Sequence, residues 1–365
     1  MSISASIISS VDELDSVAEQ WRELLGNSDS DTLFLTPEWI STWLETCGTD
    51  ASLFVIAVYR NDLLIGIAPF YIAKLRFFRL ISLDCLRILA DQNSSAEYQD
   101  LVVHRNFAAE ALEQFAEVLA DNAHRFMFVW IPYSDVERGA SSRFEDVFSR
   151  LGLLVRARAF EYYVVSLPRE KSAFDALLSS KQRNNIRRYK KRLEQRGRLG
   201  VADLAHSTTA DEVFDILASL HARRWQAQGE SGAFERKPLF ADFTRSFART
   251  ARQHGWLAAF CLSCDNEPIA MRFGYVYKGI FYEIQAGFAP ELGGSGIVVI
   301  DGAIEMAIAL GIEEYDFLGY GGEYKSRFNA RAKPGKGLFA ARRNPFTRLL
   351  FRLNIWPTGR HIQQI

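Results

Sequence analysis

Apolar residues recur at Leu14, Val17, Trp21 and Leu24/Leu25, the spacing of one helix face, and predict a helix over 12–25. Thr36-Pro37-Glu38 opens a second, because Pro suits the first helical position, and Trp39, Trp43 and Leu44 share its face. The pattern then becomes that of strands at 53–59 and 64–71, which flank Arg60-Asn61-Asp62 and read as a hairpin. Strand, helix and strand follow at 98–103, 108–122 and 126–131.

The succession returns in the second half. Helices are predicted at 210–226 and 239–254, strands at 256–263 and 268–276 around Asp265-Asn266, then strand 280–286, helix 296–310 and strand 314–318. A shift of 204 residues lays 61–68 over 265–272 with only Ile65 and Ile269 identical, so the repeat lies in the pattern rather than the letters. The expected fold class is α+β, a mixed α/β arrangement of two similar halves, each a twisted mixed sheet flanked by helices. A chain of 365 residues also exceeds one ordinary core. The expected division is 1–165, 166–345 and a C-terminal extension, 346–365, in which Phe346, Leu349, Leu350, Leu353 and Trp356 form an apolar face beside Arg348 and Arg352; packing on the body is the favoured reading and contact with a membrane the alternative.

Composition adds two restrictions. With 48% hydrophobic and 24% charged residues, the chain is an ordinary globular one. Its acidic N-terminus lacks the form of a signal peptide, and no stretch is long and apolar enough to span a bilayer, so the cytoplasm is the default location. Four cysteines are too few for a disulfide framework. Cys261-x-x-Cys264 falls on opposite faces of a strand with no further ligands at zinc spacing, so no metal is expected.

The net charge of -1 conceals a cluster: 181–198 holds nine basic residues and one acidic one, Glu194. Such a cluster suits a phosphate-bearing partner, although a merely solvated face is the plainer reading. Ile186, Tyr189 and Leu193 dock this helix, leaving Arg183, Arg187 and their neighbours outward.

Candidate chemistry concentrates in the second half. Glu291-Leu292-Gly293-Gly294-Ser295-Gly296 lies between a strand and a helix, where glycines let backbone N–H groups approach a pyrophosphate. The plain alternative is a loop capped by Ser295. The corresponding stretch of the first half, 103–107, has no glycine, so a site that needs close backbone approach belongs to the second half. Asp316 leaves the next strand and leads into 316–328, where Tyr324 and Lys325 follow a glycine turn at the mouth of a parallel strand pair.

The order of Thr36-Pro37-Glu38 with Trp39 and Trp43, 180–188, His221 to Trp225, Gly287-Phe288-Ala289-Pro290 and 316–328 resembles the tandem GNAT acyltransferases. More narrowly, it resembles the CelD-like branch of cellulose and exopolysaccharide biosynthesis, relatives of the FemAB peptidoglycan-bridge transferases. The resemblance implies two GNAT folds, the first non-catalytic, the second holding acyl-CoA (acetyl-CoA) between splayed strands and passing the acyl group to an amine. Gly294 and Gly296 take the places of the pyrophosphate-loop glycines, with Gly293 and Ser295 beside them, and Glu291 stands where Gln or Arg is usual.

Aminolysis of a thioester needs a base, oxyanion donors and an acid for the thiolate. Glu283 is the first candidate base and Asp316 the second; Tyr324 is the candidate acid, with Lys325 next to it. Glu283 pairing with Arg272 across the hairpin is the structural alternative. Arg183, Arg187, Arg224, Trp225 and Arg272 are the candidates for holding substrate, and His221 reads as structural. Three functions fit: an acyl-CoA N-acyltransferase on a sugar or cell-envelope precursor, peripheral at the inner face of the membrane; an aminoacyl-tRNA-dependent transferase of the FemAB kind; or a catalytically degenerate pair that binds an envelope-synthesis partner.

Overall fold

The computed structural model describes residues 2–77, 81–319, 323–357 and 362–364. Its strands are β1 (Ile3–Ile8), β2 (Ser52–Arg60), β3 (Leu63–Phe77), β4 (Ile81–Ile88), β5 (Val102–Val103), β6 (Phe128–Asp135), β7 (Leu154–Ser166), β8 (Leu199–Asp203), β9 (Leu257–Cys264), β10 (Glu267–Tyr277), β11 (Ile280–Phe288), β12 (Glu314–Asp316), β13 (Arg331–Ala341) and β14 (Ile362–Gln364). The chain forms two compact units, one of 1–160 with 334–365 and one of 161–333.

In the first unit the strand order is β1-β2-β3-β4-β6-β13, with β5 and β14 also on β3 and the β4–β6 pair parallel. In the second it is β7-β12-β11-β10-β9-β8, with β11–β12 parallel and the rest antiparallel. Each sheet is therefore mixed. The exchange is covalent: β7 enters the second unit at Glu161, and β13 returns at Pro334 to pair with β6.

Both expected hairpins form, because Asn61 (φ 54°), Asp265 (φ 50°) and Asn266 (φ 69°) accept the left-handed backbone that a tight turn needs. Helix Pro37–Thr46 is capped by Thr36, and helix Ala210–Gln226 by a reciprocal Thr209/Glu212 capping box. The core of the first unit gathers Phe54, Leu86, Phe115 and Phe144; that of the second gathers Phe260, Phe281, Ile304 and Tyr315.

Several predicted elements differ. The single helix over 12–25 is two, Val11–Ser16 and Ala18–Gly26. The strand of 98–103 shortens to Val102–Val103, because the preceding residues leave the sheet, and the strand of 314–318 ends at Asp316. Helix Pro345–Arg352 buries Thr347 and Leu350 but leaves Leu349 and Leu353 exposed, so the apolar face read there is divided rather than packed throughout.

Candidate active site

The site of the second unit begins with two strands that part. Ile280, Phe281 and Tyr282 of β11 pair with Glu314, Tyr315 and Asp316 of β12. Beyond that point β11 continues along β10 to Phe288. The chain leaving β12 instead follows β7, where Phe317 N donates to Tyr163 O (2.9 Å) and Tyr163 N to Leu318 O (3.2 Å). A wedge opens between 283–288 and 317–319. At its apex β10 is bulged between Phe273 and Gly274, and a Cβ on Gly274 would stand 1.9 Å from the carbonyl oxygen of Tyr282, so only glycine fits.

Lys325 fixes one wall. Its buried Nζ donates to the carbonyls of Phe317 (2.9 Å), Leu318 (3.1 Å) and Gly319 (2.7 Å), three bonds for an ammonium group with three protons. Asp316, also buried, accepts from Leu318 N at 2.7 Å, which supports the left-handed turn at Leu318 (φ 59°). Tyr320, Gly321 and Gly322, within the motif read from sequence, lie outside the described residues.

The glycine loop stands at the other wall and caps helix Ser295–Ala309. Gly294 is its N-cap, with φ 100°, and a Cβ there would lie 2.3 Å from Cδ1 of Tyr189 on helix Ser180–Glu194. A Cβ on Gly293 would approach Arg192 Nη1 at 3.6 Å. The basic helix thus runs against the loop, and the first-turn N–H groups of an α-helix, which have no intrahelical partner, start there. Ser295 is buried, its hydroxyl on Ala289 O (3.3 Å). Glu291 pairs with Arg223, which neutralises the acid standing beside the loop.

Between the walls lies a charged cluster. Arg272 Nη1 donates to Glu283 Oε1 (2.8 Å), Tyr315 Oη to Glu283 Oε2 (2.5 Å), and Arg272 Nη2 to Gly296 O (3.0 Å). The same arginine therefore holds both the carboxylate and the start of the helix. Burial works against its charge, but Glu283 and the nearby phenols outweigh that and keep it firmly protonated. Tyr324 lies with its ring 6.0 Å from the Arg272 guanidinium carbon, and burial together with Glu283 raises its pKa, so its phenol retains its proton. Arg224 stacks over Phe288 at 5.0 Å; burial and repulsion from Arg272 lower its pKa. Arg224 Nε, Trp225 Nε1 and Arg272 Nε are buried donors without a hydrogen-bond partner among the described residues.

The structure thus brings Glu283, Arg272, Tyr324 and Arg224 into one electrostatic cluster, with Trp225 next to Arg224 and with Gly296 bound to Arg272. Asp316 and Lys325 shape the wedge. Arg183 is used locally: its Nη1 donates to Asp175 O and Leu178 O at the end of helix Lys171–Leu177. Arg187 is exposed on the basic helix. Tyr315 was not singled out in the sequence, and Tyr189 and Arg192 were read only as a docking residue and an outward charge of the basic helix, not as neighbours of the glycine loop. Tyr315 was findable, since it directly precedes Asp316 on a predicted strand and takes the opposite face. His221 is buried with both nitrogens bound, Nδ1 to Ala286 O (3.2 Å) and Nε2 accepting from Ala233 N (3.0 Å), as its structural reading requires.

The first unit closes its counterpart of the wedge with its own chain. β4 ends at Ile88 opposite Phe70, and pairing with β3 resumes only at Val102 and Val103, opposite Ile67 and Gly66. The intervening excursion has left-handed backbone at Ala90, Asn93, Ser95 and Tyr98. It lies against β6, where Gln99 N donates to Tyr133 O (2.7 Å) and Tyr133 N to Gln99 Oε1 (3.1 Å). β11 makes no such excursion.

Residues 180–326 match the family model described as the acetyltransferase (GNAT) domain. That stretch lies within the second unit, which is therefore similar to this domain. Over nearly its whole length the chain also shares its fold with several solved structures. FemX is 11% identical, with a TM-score of 0.66, covering 95% of this chain and 99% of its own. The C-terminal domain of a putative lysylphosphatidylglycerol synthetase from Agrobacterium fabrum is 12% identical, with a TM-score of 0.53, 93% of this chain and 95% of its own. A tandem GNAT protein from the clavulanic acid biosynthesis pathway is 12% identical, with a TM-score of 0.50, 94% and 99%. At these identities the likeness is one of fold. No curated protein matches the sequence significantly.

Proposed function

We propose that this protein is an N-acyltransferase that moves an acyl group from acyl-CoA to an amine of a sugar or cell-envelope precursor, in the manner of the CelD-like exopolysaccharide enzymes. The observation that carries the reading is the parted β11–β12 pair with a glycine loop on one wall and a buried Glu283–Arg272–Tyr315 cluster at its apex. The donor's pyrophosphate is held by the N–H groups of Gly293, Gly294 and Gly296, beside the basic helix, Ser295 N being bonded to Leu292 O (3.1 Å), and the thioester reaches the apex. Arg224 Nε and Trp225 Nε1, buried and without a hydrogen-bond partner among the described residues, are the donors this reading offers to the substrates. The first unit, with its wedge filled by 89–101, is a non-catalytic scaffold. Peripheral placement at the inner face of a membrane suits an envelope acceptor; no helix among the described residues is long and apolar enough to cross one.

Glu283 takes a proton from the acceptor ammonium; each of its oxygens has one bond and keeps a further lone pair. The amine attacks the acyl carbon, forming the C–N bond, and backbone N–H groups of the parted strands stabilise the oxyanion. Collapse breaks the C–S bond, and the thiolate takes the phenolic proton of Tyr324. The second proton of the former ammonium passes through water to the phenolate and restores it, and Glu283 releases its own proton to solvent. Lys325 and Asp316 hold the wall at 317–319. Glu283→Gln and Tyr324→Phe are each expected to slow transfer by roughly 100-fold or more. If both leave the rate unchanged, the assignment is wrong. The exposed basic helix beside the loop favours one second reading, an aminoacyl-tRNA donor; salt-sensitive binding of charged tRNA with no response to acetyl-CoA would select it.

A further inference from the structure

The C-terminal part of the first unit carries a surface that the transfer reaction does not use. From Pro334 to Ile365 the chain has six Lys or Arg and no Asp or Glu. Within it, helix Pro345–Arg352 packs Thr347, Leu350, Phe346 and Phe351 against Leu75, Phe77, Trp130 and Phe339. The opposite face presents Arg348, Leu349, Arg352 and, one residue on, Leu353. The two leucines are 54% and 59% exposed, so a short amphipathic helix that has already satisfied its core shows a second apolar strip. By the 100° advance per residue, Leu349 and Leu353 form one edge of that face and Arg348 and Arg352 the other. The side chains of Arg342 and Arg343, exposed just before the helix, donate to the carbonyls of Ala123 and Gly152. Among the described residues none of these four arginines has a carboxylate partner.

We propose that this face docks on an anionic lipid bilayer, Leu349 and Leu353 entering the boundary between headgroups and acyl chains while Arg342, Arg343, Arg348 and Arg352 contact lipid phosphates. Side-by-side leucines and unpaired arginines match the two layers of such an interface. A nucleic acid would call for aromatic side chains among the charges, and the outward residues here are leucines. Docking is independent of the donor assigned above, so it stands or falls separately from that reading.

The test is vesicle co-sedimentation of the full chain with phosphatidylcholine alone and with added phosphatidylglycerol, at low and high salt. Binding is expected only to the anionic vesicles, weakening as salt rises. Arg348→Ala/Arg352→Ala should weaken it roughly 30-fold, and Leu349→Ser/Leu353→Ser roughly tenfold. All four residues are exposed, so the variants should keep the parent's melting temperature, which is measured alongside. No binding to anionic vesicles, or binding that both double variants retain, overturns the proposal. Loss in the arginine variant with none in the leucine variant also overturns it, because the ligand would then be a soluble polyanion such as RNA.

Discussion

Replacing Gly294 by Ala separates two physical costs at the loop assigned to the donor. At φ 100° an L-residue is strained, by about 1–2 kcal/mol. The added Cβ also stands 2.3 Å from Cδ1, 2.5 Å from Cγ and 2.8 Å from Cβ of Tyr189, so the ring or the loop must move, which costs about 1–3 kcal/mol. Gly294→Ala is therefore expected to lose about 2–5 kcal/mol in urea unfolding and to weaken acetyl-CoA binding by calorimetry. In a Tyr189→Ala background the clash is absent and the strain remains. The same substitution should then cost only about 1–2 kcal/mol, a coupling of at least about 1 kcal/mol. Equal costs in the two backgrounds would refute the contact between the basic helix and the loop. A cost under about 0.5 kcal/mol in the native background would refute the loop conformation itself.

Arg272→Met leaves Glu283 buried with Tyr315 alone, and urea unfolding should show a loss of about 3–5 kcal/mol; retention of native stability would mean that Glu283 does not depend on this pair. His221 supplies a pH test. Burial lowers its folded pKa, so the unfolded chain binds the extra proton, and stability should fall as pH drops from the unfolded value of about 6.5 through the folded one. Stability measured across pH 4–8 should lose this component in His221→Asn, and an unchanged slope would assign it elsewhere.

Local pattern carried much of this architecture. Helix Ala210–Gln226 was readable from its apolar period, and the Asn-Asp and Asp-Asn turns marked both hairpins because those side chains tolerate positive φ. Glycine spacing marked the turn at which Gly294 caps helix Ser295–Ala309, and 103–107 of the first half has no such glycine. What was not legible depends on partners distant in the chain. β13 contains Pro334, Gly335 and Gly337, poor strand formers, and is a strand because β6 pairs with it. The excursion over 90–101 interrupts a strand on β3 in a way no periodicity announces, and its four left-handed residues include Ala90 and Tyr98, which give no turn signal. At the site, Lys325 stands in the sequence only as the neighbour of the candidate acid Tyr324, and its donation to three carbonyls becomes visible in the fold. Glu291 reads as an acid opposed to a diphosphate until Arg223, 68 residues earlier, is seen beside it.

The central claim is that the wedge of the second unit binds acyl-CoA, and thermal unfolding with acetyl-CoA, for the native protein and for Gly294→Ala, tests it most directly. A ligand at 100 times its Kd stabilises the folded state by about 2.7 kcal/mol, so millimolar acetyl-CoA should raise the native protein's melting temperature and leave the variant's nearly unmoved. No shift in the native protein at millimolar acetyl-CoA, or the same shift in both, would contradict the account.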